Sequence, residues 1–187
     1  MRNNVYLGLV HYPVYNKNSD VVATSVTNFD IHDISRSCRT YNIKSYHIIT
    51  PVDAQIELTE RIISYWKDGY GKEYNHDREE AFSKTVISKS IEDSMANIES
   101  IENKKVNIIT TSAKIYPNSI SYEDLSNKIF NDDEIYFILF GTGFGLIEEI
   151  MDKSTYILEP IRGKSKYNHL SVRSAVSIIL DRLFGEN

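Results

Sequence analysis

The chain has 187 residues, of which 41% are hydrophobic and 25% charged; 21 Lys and Arg stand against 26 Asp and Glu, a net charge of -5. Such a chain can bury a sizeable core as one globular domain, and its balance excludes a general basic coat for nucleic acid while leaving room for a local basic surface. The single cysteine, Cys38, rules out an intrachain disulfide and a multi-cysteine zinc site, and no apolar run approaches the roughly 20 residues of a membrane helix.

In chain order, Val5 to Val14 is apolar and β-prone and predicts a buried first strand, ended near Pro13. Because this strand pattern begins at once, no signal peptide is expected, and the expected setting is reducing and cytoplasmic. Val21 to Thr27 is a second β-prone stretch, suited to an edge. Asn28 and Asp30 offer capping groups for a helix in which Ile31, Ile34, Cys38 and Tyr41 recur at helical spacing. Cys38 is expected as a buried thiol, Arg36 and Arg39 lie on the other flank, and Asn42 is a left-handed stop.

Tyr46 to Thr50 predicts a strand closed by Pro51. Asp53 caps a helix with Ile56, Ile62, Ile63 and Trp66 inward, ending at Gly69. After a loop over 69–77, the stripe Ala81, Phe82, Val86, Ile91, Met95 and Ile98 predicts one long outer helix to about Glu99. Val106 to Thr111 is a strand, Ser121 to Phe130 a short helix, Ile135 to Phe140 a strand, and Leu146 to Met151 a short helix. Tyr156 to Leu158 is a buried strand stopped before Pro160. The last helix, Leu170 to Leu183, is apolar on more than one face, so it is either fully buried or at an interface. Repeated alternation of strand and helix predicts an α/β domain over 1–187, a parallel sheet with helices on both faces.

Three strand ends run into loops of small residues: Thr110-Thr-Ser-Ala113, Phe140-Gly-Thr-Gly-Phe-Gly145, and the stretch from Pro160 through Gly163 to the last helix. On an open α/β sheet, ligands bind beyond such strand ends. The glycine run does not fit a dinucleotide fingerprint: its spacing is G-x-G-x-G, and it lies in the last third of the chain. No Gly-Lys-Ser/Thr ends it, so it is not a P-loop either.

The stretch from Thr27 to Ile43, the Phe-Gly-Thr-Gly-Phe-Gly-Leu loop at 140–146, and the end from Ile157-Leu-Glu-Pro-Ile to Asn168-His-Leu-Ser-Val-Arg-Ser-Ala175 together resemble the SPOUT superfamily of α/β-knot RNA methyltransferases. The nearest branch is the one associated with bacterial tRNA guanine-N1 methyltransferases. The resemblance covers essentially the whole chain. It implies a C-terminal trefoil knot, a homodimer, S-adenosylmethionine as cofactor, and RNA (tRNA or rRNA) as substrate, with no membrane and no metal. The last helix would then meet the first at the dimer contact.

On this resemblance, Gly141, Thr142, Gly143 and Gly145 would form one wall of the cofactor slot, because small residues let the backbone approach closely. Thr110, Thr111, Ser112 and Ala113 would line a second side. Leu158, Glu159, Pro160 and Ile161, with Asn168, His169, Leu170, Ser171, Val172 and Arg173, would form the rest; Leu158, Ile161 and Leu170 would touch adenine. Arg36 falls where the family places an arginine that reaches substrate phosphate or ribose, and Asn28 falls near its loop asparagine. Arg36 and His169 are the candidate catalytic residues. His169 replaces the asparagine of many members, so the acceptor atom stays open.

Arg36, Arg39, Arg162, Lys164 and Lys166 are candidate RNA contacts; a guanidinium suits phosphate and not proton abstraction. Arg173 opens the last helix against the dipole, and Glu159 is a candidate partner. His32 is either a base or a packed side chain. Two other readings stay open. One is a non-catalytic module that binds S-adenosylmethionine or RNA; the other is a nucleotide enzyme of ordinary doubly wound topology.

Overall fold

The computed structural model describes residues 4–165 and 167–186. The first strand, β1 (Val5–Val10), is buried along its whole length and lies inside the sheet. The predicted single run to Val14 divides after it. β2 (Val14–Tyr15) pairs antiparallel with β3 (Val21–Val22) in a small ribbon beside the sheet.

Helix α1 (Asn28–Thr40) follows, with Ile31, Ile34 and Cys38 buried. Its N-cap is Thr27 rather than Asn28 or Asp30, since the Thr27 hydroxyl accepts from the Asp30 amide at 3.2 Å. Asn42 stops it at φ 53°. Next come β4 (Tyr46–Ile49), α2 (Asp53–Lys67), the one-turn α3 (Tyr70–Tyr74) in the expected loop, and α4 (His76–Phe82).

The expected long helix over 77–99 is the largest departure. It is α4, then a strand β5 (Thr85–Ser88), then α5 (Ile91–Glu102). Thr85, Val86 and Ile87 are β-branched, and Ser90 caps α5 by accepting from the Asp93 amide at 3.0 Å. The apolar stripe mimicked a helix because its intervals average near a helical turn, although two local periods produced it.

The remaining elements are β6 (Val106–Thr111), the two-residue β7 (Ser119–Ile120), α6 (Tyr122–Asn131), β8 (Ile135–Gly141), α7 (Glu148–Asp152), β9 (Tyr156–Leu158) and α8 (Val172–Phe184). The sheet has seven parallel strands in the order β5-β4-β1-β8-β6-β9-β7. Two late strands are inserted: β8 lies between β1 and β6, and β9 between β6 and β7.

Alternation along the strands sends side chains to two faces. Val5, Leu7 and Leu9 join Ile34 of α1, Leu125 of α6 and Val176 and Leu180 of α8 in one core. Tyr6 and Val10 join Ile98 of α5 and Ile150 of α7 in the other. Helices therefore cover both faces, as the alternating pattern predicts. Since all seven strands are parallel, their C-terminal ends share one edge, and the three small-residue loops emerge there.

Candidate active site

At that edge the loop after β8 is bound to the β2–β3 ribbon. The Tyr15 amide donates to the Gly145 carbonyl at 3.0 Å, and the Phe144 amide donates to the Tyr15 carbonyl at 2.9 Å. Gly143 has φ 59°, and a Cβ there would lie 2.9 Å from the Tyr15 oxygen, so only glycine lets the loop approach the ribbon this closely. Gly145 has φ 104° and nothing within 4 Å of a would-be Cβ. The loop thus has one packed side and one open side.

Thr142 fastens the loop to β1. Its amide and its hydroxyl both donate to the Val10 carbonyl, at 3.2 and 2.9 Å. Its hydroxyl also meets that of Thr24 at 2.5 Å.

The other two loops meet at one bond, from the Asn168 amide nitrogen to the Ala113 carbonyl at 3.0 Å. Thr111 donates to the Leu139 carbonyl at 2.9 Å, and the Ser112 hydroxyl accepts from the Lys114 amide at 3.1 Å. Thr110 is wholly buried, and its hydroxyl has no partner among the described residues. Pro160 is buried, and Ile161 and Val172 are half-buried against the core. His169 and Leu170 are exposed, with the His169 ring 5.4 Å from that of Tyr167. Ser171 is the N-cap of α8 and accepts from the Ser174 amide at 3.4 Å.

Some expected residues face elsewhere. The Leu158 side chain is wholly buried in the core. Glu159 turns away from α8: its carboxylate accepts from the Tyr122 amide at 3.3 Å and its own amide donates to Ile120 at 3.0 Å. It is therefore not the partner of Arg173. That partner is α1, where Arg173 donates to Asp33 at 2.9 Å, lies 3.6 Å from Asp30 and covers the Phe29 ring at 5.1 Å. Two helix N-termini meet here, and two carboxylates offset the arginine that a helix start disfavours. A cavity of about 490 Å³ beside this contact is lined by Asp33, Ser171, Arg173, Ser174, Ser177 and Ile178.

The meeting of α8 with α1 lies within one chain. Ser37 and Ser177 hydroxyls are 2.9 Å apart, and Tyr41 donates to Asp181 at 2.8 Å. Val176, Ile179, Leu180 and Leu183 of α8 are buried in the core of the same chain, and Val172 and Phe184 pack against it.

Among the basic residues, Arg36 is exposed on α1, and Arg162 and Lys164 are exposed in the loop after β9. Arg39 is bound to Glu80 of α4, its Nε donating at 2.8 Å. Lys166 lies outside the described residues. His32 packs edge-on against Trp66 and Phe82, with centroids 5.4 and 4.9 Å away. Burial first, and then the nearby charge of Arg78, lower its pKa. It is a packed side chain. Cys38 is buried and burial raises its thiol pKa, so it is an inert core residue.

Sequence reading missed His11 and took Asp30 only as a capping group. Both are buried at this edge, and Asp30 accepts from the Thr27 hydroxyl at 2.6 Å. Their signal was position: a histidine ending an apolar strand, and an acid in the first turn of the next helix.

Together the loops present open glycine backbone, one orphaned hydroxyl and half-buried apolar side chains. That donor set fits an adenosine-bearing cofactor, which needs backbone hydrogen bonds and a narrow apolar slot. A larger hollow, about 740 Å³, lies along β7 and α6 and is lined by no residue of the three loops. Its position away from the strand ends leaves it outside the site.

A family model described as SAM-dependent RNA methyltransferase matches residues 4–185. An uncharacterized protein of Aquifex aeolicus is 40% identical over 100% of this chain and 91% of its own length. A tRNA (guanine-N(1)-)-methyltransferase of Oleidesulfovibrio alaskensis is 37% identical over 98% of this chain, which spans only 42% of that relative. Among solved structures, a methylase family protein of Neisseria gonorrhoeae has a TM-score of 0.65 at 16% identity, covering 98% of this chain and 82% of that one. The SpoU methyltransferase AviRb of Streptomyces viridochromogenes, solved with AdoMet, has a TM-score of 0.56 at 14% identity, covering 98% and 58%.

Proposed function

This chain belongs to the SAM-dependent RNA methyltransferase family, with a SPOUT-type fold, and we propose that it methylates tRNA, as a cytoplasmic homodimer, at the edge where its three small-residue loops meet. The Asn168 to Ala113 bond carries this reading. It joins the loops after β6 and β9 while the ribbon holds the loop after β8. A C-terminal trefoil knot is part of the proposal, and the insertion of the last strand, β9, between β6 and β7 is compatible with it.

S-adenosylmethionine supplies an electrophilic methyl group on sulfur, and the protein's task is to hold donor and acceptor in line. Thr111, Ser112, Ala113, Gly141, Thr142, Gly143 and Gly145 would hold the cofactor from two sides. Pro160, Ile161, Asn168, Leu170, Ser171 and Val172 would close the third, with Thr110, Leu158 and Glu159 behind them. Arg36 stands one helical turn beyond Asp33 and would clamp a substrate phosphate or ribose, joined by the exposed Arg162 and Lys164. Exposed on the loop before α8, His169 would receive a proton from the acceptor. The tRNA assignment is supported by the name of the Oleidesulfovibrio relative and remains a proposal because this chain matches less than half of that protein.

Calorimetric titration with S-adenosylmethionine and S-adenosylhomocysteine, with NAD and ATP as controls, tests the cofactor site. Micromolar binding is expected, roughly -8 kcal/mol. Methyl transfer to bulk tRNA should then be lost in Arg36→Ala with cofactor affinity unchanged. Binding of NAD or ATP in place of both methionine derivatives would overturn the assignment.

A further inference from the structure

His11 directly follows β1 and is wholly buried. Its amide donates to the Ile49 carbonyl at 2.9 Å, and its carbonyl accepts from the Thr24 amide at 2.9 Å. Its ring Nδ1 lies 3.0 Å from the Thr24 hydroxyl, which is the hydroxyl that meets Thr142. Three side chains therefore form a line from the interior of the sheet to the glycine loop.

The proton positions follow from counting. The Thr142 hydroxyl has one proton and gives it to the Val10 carbonyl at 2.9 Å. In its 2.5 Å contact with Thr24 it must therefore accept, so Thr24 donates. The rival acceptor for Thr24, the His11 carbonyl, stands at 3.5 Å, the outer limit of such a bond. With its proton spent, Thr24 can only accept from His11. Nδ1 thus carries the imidazole proton, and Nε2 is a bare lone pair, buried and without a partner among the described residues. Burial pushes the ring pKa down to about 4, although the charge of Asp30 works the other way, so the ring is neutral near pH 7.

We propose that His11 is a positioning residue for methyl transfer: through Thr24 it fixes the Thr142 hydroxyl, and with it the glycine loop that forms one wall of the cofactor site. His11 is buried behind Thr24 and acts through it. The chain has a direction, from Nδ1–H to Thr24, to Thr142, to Val10. Removing the first donor takes away the bond that orients the Thr24 hydroxyl, so its proton can turn from Thr142 to the carbonyl of residue 11, and the loop loses its side-chain tie to Thr24.

This inference rests on the reading of the glycine loop as a cofactor wall, so its test has a readout that needs no cofactor. Amide hydrogen exchange is measured on the ligand-free protein, and S-adenosylmethionine affinity alongside. In His11→Leu, the Thr142 and Gly145 amides should exchange about tenfold faster, as expected for one lost hydrogen bond, while Leu7 and Ile138 stay as protected as before. Cofactor affinity should fall about tenfold, with KM for the cofactor raised more than kcat is lowered. His11→Asn, whose amide nitrogen sits near the place of Nδ1, should recover most of the protection. Thr24→Val should match His11→Leu, and the double variant should be no worse than either.

Loop protection unchanged in His11→Leu, a His11→Asn as impaired as His11→Leu, or additive losses in the double variant would each overturn the proposal. Should His11→Leu not fold, Thr24→Val carries the same test with the histidine in place. A wild-type chain that binds no S-adenosylmethionine, but whose loop protection follows this pattern, would sink the cofactor assignment and support the positioning role.

Discussion

The two sides of the sheet end in different ways. On the β4–β5 side, strands pass to helices almost at once: only Lys89 and Ser90 separate β5 from α5, and Ser90 caps the helix. On the β8–β9 side, loops intervene: residues 142–147 follow β8 and 159–171 follow β9. The start of α5 is satisfied locally by Ser90, while Val52 before α2 makes no side-chain cap. The longer loops reach further: Ser171 still caps α8 locally, but Thr142 binds β1, Gly145 and Phe144 the ribbon, and Asn168 the loop after β6. The lesson is that a strand end becomes a site when its polar groups are satisfied at a distance, since the geometry then depends on several segments at once.

Acid should give the largest effect and reach both sides. Burial holds the buried His47 of β4, like His11, down to about 4. Above about pH 6.5 neither the folded nor the unfolded state protonates these rings, so they add no pH dependence there. As pH falls from about 6.5 towards 4, the unfolded chain takes up protons that the folded chain refuses. Stability is lost across that window, by up to about 3 kcal/mol per histidine. Denaturation midpoints measured from pH 7 to pH 4 should show this. His47→Gln should remove about half of the loss and leave cofactor affinity at neutral pH unchanged; an undiminished pH slope would mean that other groups govern it.

Gly143→Val comes next and should separate the two sides. The positive φ and the 2.9 Å approach of Tyr15 predict strain of about 1–3 kcal/mol, expressed in the loop. Titration should show S-adenosylmethionine affinity reduced at least about tenfold, while hydrogen exchange in β4 and β5 stays as in the wild type. Loosening that spreads to those strands would erase the contrast between the two sides.

Ser90→Ala should give the smallest effect. Loss of the cap predicts about 1 kcal/mol of destabilisation by chemical denaturation. No change in cofactor binding should accompany it, because that cap binds only its own helix.

The contrast also explains what was legible in the sequence. Strands such as Ile135–Phe140 and helix starts such as Ser121, whose hydroxyl caps α6 by accepting from the Asp124 amide, are local patterns, and the chain shows them directly. The three small-residue loops could be located because glycine spacing is local too. Which side chain meets which loop is not local. Glu159 lies nearer to Arg173 in sequence, yet Asp33 holds that arginine across 140 positions. The Thr24 to Thr142 contact spans 118 positions, and no periodicity announces it. β5 was hidden for another reason: four residues between two helices were too few to break an apolar stripe of near-helical spacing.

The place of β9 also bears on how the molecule is made. It is the last strand in the chain, yet it separates β6 from β7, both synthesised earlier. β7 pairs with β9 alone, so until β9 arrives it has no neighbour in the sheet. Local contacts cannot build this edge, and pairing over such distances is slow. During synthesis the first strands can assemble while the edge bearing the three loops is still open. A nascent chain can therefore assemble much of its core before the three loops come together, and this edge of the sheet is completed last.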